Sequence, residues 1–122
     1  MTREEFEEQV EAALELVPDE FRPYLRDVAV IVEEWPSIDH RRRLRLRSNE
    51  TLFGLYEGVP LTQRNSSYNL ALPDRITLFQ GPLEAFAGPD RERLRRQVRR
   101  VVLHEIAHHF GFGEERLREL GY

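Results

Sequence analysis

The sequence contains no cysteine and no lysine, and its longest aliphatic run, Val28 to Val32, is only long enough for a strand. Without cysteine the chain cannot form a disulfide framework, a thiolate zinc site or a cysteine nucleophile, so any metal must be bound by histidine, carboxylate, carbonyl or water. The short aliphatic runs and the acidic N-terminus match neither a membrane span nor a secretory signal. We therefore expect a cytoplasmic protein with no membrane partner.

Size and charge indicate one globular unit with a solvated surface. The chain has 122 residues, of which 40% are apolar and 33% charged, and we expect a single domain over residues 1–122. Acidic residues dominate residues 1–34, and arginines cluster at 41–47 and 91–100. Basic clusters are typical of nucleic-acid surfaces, but these contain no interleaved aromatic residues. We interpret them as a solvated loop and the outer face of a helix, and we expect no nucleic-acid partner.

The first predicted elements are a helix, a short turn and a strand. Thr2 and Glu5 form a capping box, and apolar residues recur at helical spacing until Pro18 ends the helix. A short helical turn is predicted around Pro23. Residues 28–32 are apolar on both faces, which predicts a central strand covered on both sides.

The middle of the chain predicts two further strands, at 52–56 and 75–80. Trp35 is interpreted as a core residue, and His40 as a surface histidine in a loop or weak helix over residues 37–50. The remaining connections are a turn at 57–58, a return strand at 59–61 and a polar loop at 62–69. Gly81-Pro82 ends the strand at 75–80, and one helical turn follows at 83–87.

The longest predicted helix starts at Gly88-Pro89-Asp90 and ends near Phe110. Gly111 follows in the position of a terminating glycine, and a last short helix is predicted over residues 114–120. The apolar stripe of the long helix is formed by Leu94, Val98, Val101 and Val102.

Further along the same helix, ionisable residues take the place of apolar ones. Glu105 and His108 continue the stripe and His104 lies beside it, although ionisable side chains on a buried stripe are costly unless they are paired or bind a metal. Because His104 and His108 are four residues apart, both imidazoles project from one face, as two zinc ligands require. Glu105 lies beside them as the expected general base.

The stretch His104-Glu105-Ile106-Ala107-His108, with its apolar flanks, resembles the zincin signature. Residues 54–62 and 72–82 extend the resemblance to a family of small bacterial zinc metallopeptidases with a minimal zincin fold. The resemblance implies an α+β fold in which a small mixed sheet packs against an N-terminal helix and a long active-site helix. It also implies a Zn²⁺ cofactor and a hydrolase that acts on a peptide or protein substrate.

A catalytic zinc takes a third protein ligand and leaves one position to water. One zincin branch turns the chain at a glycine and places this ligand six residues after the second histidine, which corresponds here to Gly111 and Glu114. We therefore predict His104, His108 and Glu114 as the metal ligands. The alternatives to Glu114 are Glu115, Asp74 and Glu84.

The predicted reaction is peptide-bond hydrolysis by a water that zinc activates, with Glu105 as the base. Zincins hold an extended substrate along an edge strand, and we favour 75–80 over 52–56 for this role. Tyr56 and Tyr68 are candidate oxyanion donors, although core packing also explains them. Two alternatives stay open. One is a metal-dependent endoribonuclease, in which Glu105 has no use, and the other is a zincin-like binding module without catalysis.

Overall fold

The computed structural model describes residues 1–45, 52–58 and 73–122. The elements in these ranges are α1 (Arg3–Glu15), a 3-10 turn (Asp19–Phe21), α2 (Arg22–Leu25), β1 (Val28–Glu33), α3 (Ile38–Arg43), β2 (Gly54–Glu57), β3 (Asp74–Phe79), α4 (Gln80–Ala87), α5 (Arg91–Phe110) and α6 (Glu114–Glu119). This α+β arrangement confirms the predicted fold class. None of these helices combines the length and the apolarity that crossing a bilayer demands. The strand predicted at 59–61 and the loop at 62–69 lie outside the described residues.

Helix α1 begins at a capping box, as predicted. The Oγ1 of Thr2 accepts a hydrogen bond from the Glu5 N–H at 3.1 Å, and the Glu5 carboxylate accepts one from the Thr2 N–H at 3.4 Å. Phe6, Val10 and Ala13 form the buried face of the helix, which packs against α5. They belong to one cluster of buried side chains that also includes residues of β3, α4, α5 and α6.

The described sheet has the strand order β1-β3-β2, with β1 parallel and β2 antiparallel to β3. The prediction that residues 28–32 form the central strand is wrong, because β3 lies in the centre. Ile76, Leu78 and Phe79 of β3 are completely buried, whereas Ile31 of β1 is 37% exposed. A continuous aliphatic run indicates burial, but it does not say which neighbours provide that burial.

Strand β3 ends at Phe79, next to the break predicted at Gly81-Pro82, but α4 begins at Gln80 and includes both residues, three positions before the helical turn predicted over residues 83–87. Pro82 lies in the first turn, where its missing N–H removes no intrahelical hydrogen bond. Gly81 is needed because a Cβ there would lie 2.4 Å from the ring of Trp35. Trp35 itself is 57% exposed. Its interpretation as a core residue is therefore wrong, and it covers the start of α4 from outside.

His40 is only 8% exposed, so the prediction of a surface histidine is wrong. It lies in α3, which is the weak helix expected within residues 37–50. The His40 N–H donates to Ser37 Oγ at 3.0 Å, and the Ser37 N–H donates to His40 Nδ1 at 3.2 Å. The imidazole also packs edge-on against Phe79, with ring centroids 5.6 Å apart. This distant partner on β3 explains a burial that the arginine-rich local sequence does not indicate.

Helix α5 begins directly after the predicted start and ends at Phe110, as predicted. At its N-terminus, Asp90 Oδ1 accepts a hydrogen bond from the Arg93 N–H at 3.1 Å. At its C-terminus, Gly111 adopts a left-handed conformation with φ 71°, which costs glycine no steric strain. The N–H groups of Gly111 and Phe112 both donate to the Ala107 carbonyl, at 2.9 and 3.1 Å. The chain then turns back and begins α6 close to the predicted position.

Candidate metal centre

The buried stripe of α5 differs from the predicted one. It consists of Leu94, Val98, Val102, Leu103, Ile106 and Ala107. Val101 is only half-buried, and the His108 side chain is 61% exposed. The prediction that Glu105 and His108 continue the buried stripe is therefore wrong. They lie beside it with His104, on a flank of α5 that borders a surface groove.

Strand β2 lies against this flank and contacts Glu105. Gly54 permits the approach, since a Cβ at this position would lie 2.6 Å from Cγ1 of Val101. Two residues further on, the main-chain N–H of Tyr56 donates to Glu105 Oε1 at 3.3 Å. Burial raises the pKa of Glu105, although the hydrogen bond from Tyr56 and the charges of the neighbouring histidines oppose this effect. The sheet thus orients the Glu105 carboxylate, and burial makes it more basic than an exposed glutamate.

Glu114 lies next to the second histidine of the motif. Its Oε1 contacts His108 Nε2 directly, and its side chain is 52% exposed. The hydrogen bond with His108 and the charge of His108 lower the pKa of Glu114, with a smaller effect from His104. The contact depends on the reversal of the chain at Gly111. In the described part of the chain, Glu115 makes no hydrogen bond to either histidine.

His104 faces a different acceptor. Its Nε2 lies 3.1 Å from the main-chain oxygen of Tyr122, and its ring centroid is 6.4 Å from that of His108. The segment that carries Tyr122 is fixed at two points. The Tyr122 N–H donates to the Leu117 carbonyl at 2.8 Å, and Arg99 Nε donates to the Tyr122 hydroxyl at 2.9 Å. The two imidazoles therefore share one side of the helix but point to separate oxygen atoms.

Within residues 1–45, 52–58 and 73–122, no three histidine, aspartate or glutamate side chains form a closed metal centre. The donor types nevertheless fit zinc, because two imidazoles and one carboxylate are a typical catalytic ligand set. On a tetrahedral zinc, two imidazole ring centres lie about 5 Å apart. The rings of His104 and His108 therefore have to rotate toward each other, which residues four apart on a helix achieve by side-chain rotation. Ligation by His104, His108 and Glu114 stays a prediction.

The upstream acids are engaged elsewhere. The Tyr56 hydroxyl donates to Asp74 Oδ2 at 2.8 Å, and His109 Nε2 lies 3.8 Å from the same oxygen. His109 also stacks on the Tyr56 ring, with centroids 3.9 Å apart. Glu84 contacts the amino group of Met1 at 3.3 Å. Asp74 is thus close to the motif but bound to Tyr56, and Glu84 contacts neither histidine of the motif.

The prediction that residues 75–80 form the edge strand that holds a substrate is wrong. Residues 75–80 fall largely in β3, which lies in the centre of the described sheet, so they do not provide the edge strand that this role requires. Among the described strands, β2 lies at an edge, and it packs directly against α5. The segment 52–56, to which β2 largely corresponds, is therefore the better candidate. Tyr68 lies outside the described residues.

Comparison with known proteins identifies the family. A family model described as zincin-like metallopeptidase matches residues 25–122, which is most of the chain. The chain belongs to the zincin-like metallopeptidase family. Among solved structures, a conserved hypothetical protein from Thermus thermophilus is 27% identical, with a TM-score of 0.55 over 90% of this chain and 94% of that chain. No curated protein matches the chain.

The zincin-like match extends from the end of α2 through α6 to Tyr122 and leaves α1 outside. It therefore contains all three described strands, the motif of α5 and Glu114. This result confirms the resemblance inferred from residues 54–62, 72–82 and the motif. The family is one of metallopeptidases, whereas the name of the solved relative indicates no activity.

Several contacts of this zincin-like site have no signal in the sequence. The hydrogen bond from Tyr56 to Glu105 comes from a main-chain N–H, which every residue except proline has. The acceptor near His104 is likewise a main-chain oxygen, that of Tyr122. Phe53 and Phe86 line the groove beside the histidines, but phenylalanines in a sequence are ordinarily assigned to the core.

Proposed function

We propose that this zincin-like protein is a zinc-dependent metallopeptidase in which His104, His108 and Glu114 hold the metal and Glu105 is the general base. One observation carries the proposal. Glu114 contacts His108, while Glu105, on the same flank of α5, is held separately by the Tyr56 N–H. Metal-assisted hydrolysis needs both parts of this arrangement: ligands that leave a position open, and a base that is not itself a ligand.

Glu105 performs the proton transfers of the proposed reaction. It accepts a proton from the attacking water and returns it to the leaving amine. Burial shifts the pKa of Glu105 upward, toward neutral pH, which suits a general base. The hydrogen bond from Tyr56 fixes Oε1 and leaves Oε2 for the water. When bound, zinc supplies Lewis acidity, which lowers the pKa of water toward about 7 and polarises the peptide carbonyl.

Strand β2 is suited to bind the substrate backbone. It is an edge strand of the described sheet, and it packs on the helix that carries the motif. An extended peptide can add to such an edge by main-chain hydrogen bonds. A peptide added along β2 passes close to Glu105, since the N–H of Tyr56 is within hydrogen-bonding distance of that carboxylate.

Half of the arginines of α5 are engaged within the chain, which counts against the alternative nuclease function. Three of them donate hydrogen bonds within the chain: Arg95 to Gln9 at 2.6 Å, Arg96 to Gly121 at 2.7 Å and Arg99 to Tyr122 at 2.9 Å. These guanidinium groups tie α5 to α1 and to the segment after α6. They are therefore used for packing and do not form an open phosphate-binding face.

The first test is metal content. Purified protein incubated with zinc and then desalted should retain about one zinc per chain, and His104→Ala and His108→Ala should lose it. His40→Ala is the matched control, because His40 lies on α3 and is not one of the proposed ligands. Wild-type protein that stays metal-free at neutral pH would contradict the proposal.

The second test is the base. Glu105→Gln keeps an oxygen that accepts the Tyr56 hydrogen bond, so it should retain zinc and fold while kcat for peptide cleavage falls by roughly 10²- to 10⁴-fold. Glu92→Gln, an exposed glutamate in the first turn of the same helix, serves as the control with unchanged kcat. Peptide cleavage by Glu105→Gln at the wild-type rate would remove Glu105 from the mechanism. Metal-dependent cleavage of RNA and of no peptide would favour the nuclease.

A further inference from the structure

A groove of 480 Å³ opens beside His104 and His108 on the half-exposed flank of α5. Its apolar wall is formed by Phe53 and Phe86, whose rings meet edge to face with centroids 5.6 Å apart. Val101 lines the side of the groove that belongs to α5. Pockets that bind small organic groups have volumes of roughly 300–1,000 Å³. The groove therefore has room for a side chain of a peptide bound at the motif.

The apolar wall is held in place without a ligand. Phe86 is 40% exposed, in contrast to the fully buried Leu83 on the same helix. The guanidinium of Arg93 lies 4.4 Å from the centre of the Phe86 ring and restrains it by a cation–π contact. Phe53 directly precedes Gly54, whose missing side chain lets β2 approach α5. An exposed aromatic ring fixed at the mouth of a groove is the kind of surface that binds an apolar side chain.

Arg100 lines the same groove and differs from the other arginines of α5. Each of the others has a partner: Arg91 with Glu5, Arg93 with Phe86, Arg95 with Gln9, Arg96 with Gly121 and Arg99 with Tyr122. In the part of the chain that the structure describes, Arg100 has no ion-pair or hydrogen-bond partner, and it is exposed. It stands four residues before His104 and so on the same side of the helix. Its uncompensated charge favours a carboxylate.

We propose that this groove is a substrate subsite for a large apolar side chain adjoining the scissile bond, and that Arg100 binds a carboxylate on the residue beyond it. The proposal rests on the proposed peptidase function of the neighbouring motif. A large apolar side chain fills the groove and removes the faces of Phe53 and Phe86 from water, which a small or charged one does not. The carboxylate belongs to an acidic side chain or to the C-terminus of the peptide, and both present the same group to Arg100.

The experiment begins with the zinc-loaded wild-type protein and a peptide library whose cleavage sites are mapped by mass spectrometry. Matched peptides then compare leucine with alanine beside the scissile bond, aspartate with asparagine one position further, and a free C-terminus with an amide. We expect kcat/KM to be about 10-fold higher for leucine. We expect kcat/KM to be about 5- to 10-fold higher for the peptide with the carboxylate, and this preference should decrease as salt is added. The last two comparisons identify the source of the carboxylate.

Two variants assign these preferences to residues. Arg100→Gln should abolish the preference for the carboxylate, whereas Arg42→Gln, an exposed arginine on α3, should keep the wild-type preference. Phe86→Ala should reduce the preference for leucine by several-fold, and the conservative Phe86→Leu should restore most of it. Because Phe86 is 40% exposed, the fold should survive, and circular dichroism checks this.

The outcomes separate the subsite from the peptidase function. Cleavage without a preference for leucine, or a carboxylate preference that survives in Arg100→Gln, overturns the subsite and leaves the peptidase standing. If no peptide is cleaved, fluorescence anisotropy with the same labelled peptides decides on the groove. Tighter binding of the leucine–aspartate peptide by wild type than by Arg100→Gln supports the subsite. Equal binding by the two, or no binding at millimolar concentration, overturns it.

Discussion

On the buried side of α5, Leu94, Val98 and Ile106 are at most 2% exposed, whereas on the neighbouring side the His108 side chain is 61% exposed. The first side packs against the core, and the second borders a groove and carries the groups proposed for zinc binding and catalysis. One helix thus carries core residues on one side and the residues proposed for chemistry on the neighbouring side. Substitutions on the two sides should therefore change different measurable quantities.

The largest expected effect on stability lies on the buried side. Leu94→Ala leaves a cavity in the core and should lower the free energy of unfolding by about 2–5 kcal/mol. In metal-free protein, His108→Ala should change it by less than about 0.5 kcal/mol, since both His108 and its partner Glu114 are largely exposed. Urea denaturation of the two variants measures this difference. Similar losses for both would show that the two sides are not separable.

Gly54→Ala should affect both sides at once, because β2 connects Glu105 to the sheet. The added Cβ would lie 2.6 Å from Cγ1 of Val101 and 3.2 Å from the carbonyl oxygen of Thr77. We expect a loss of about 1–3 kcal/mol in stability and a lower kcat, because Tyr56 moves relative to Glu105. Val101→Ala removes the nearest atom. In a double-mutant cycle, the variant with both changes should therefore recover part of the stability lost in Gly54→Ala. Strict additivity would argue against this contact as the cause.

On the exposed side, Glu114→Ala should weaken zinc binding by about 10-fold or more while the free energy of unfolding of the metal-free protein stays nearly unchanged. Glu115→Ala is the matched control and should bind zinc like wild type. Competition with a chelator measures both affinities. Equal zinc affinity of Glu114→Ala and wild type would exclude Glu114 as the third ligand, and another acidic residue would then have to take this role.

The smallest effect concerns the anchoring of α6, the helix that carries Glu114. Arg116 donates hydrogen bonds to both carboxylate oxygens of Glu20, at 2.7 to 3.1 Å, and thereby lowers the pKa of Glu20. A lowered folded pKa means that the contribution to stability is present above the unfolded pKa of about 4.3. It is lost as pH falls through the folded value. Because the pair is exposed, the contribution is small.

This prediction is checked by the melting temperatures of wild type and Glu20→Gln at pH 7 and at pH 2.5. Wild type should melt slightly higher at pH 7, and the difference should shrink at the lower pH. A difference that is equal at both pH values would show that the charge of Glu20 does not contribute. Glu119, which contacts the other end of Arg116 at 3.1 Å, provides the control variant Glu119→Gln.

Much of the helical structure follows from the sequence, because its signals act within a few residues. The capping box of Thr2 and Glu5 predicts a helix start, and Gly111 predicts a helix end, that the structure has. The strands show the opposite case. Residues 28–32 have the longest aliphatic run but lie at an edge of the described sheet, while β3 occupies the centre. Strand order depends on the helices and loops that pack on each strand, and no local pattern records that.

The sequence alone determined that His104, Glu105 and His108 lie on neighbouring positions of one helix and that Gly111 ends it, because helical geometry and the left-handed glycine are local properties. Only the tertiary structure decided that this motif lies beside the buried stripe, and that β2 is the strand that contacts Glu105. It also decided that Arg100 lines a groove and that, among the described residues, its side chain has no ion-pair or hydrogen-bond partner. The physical reason is that these features result from packing between segments far apart in the chain, whose approach is governed by burial and by single contacts such as that of Gly54 with Val101.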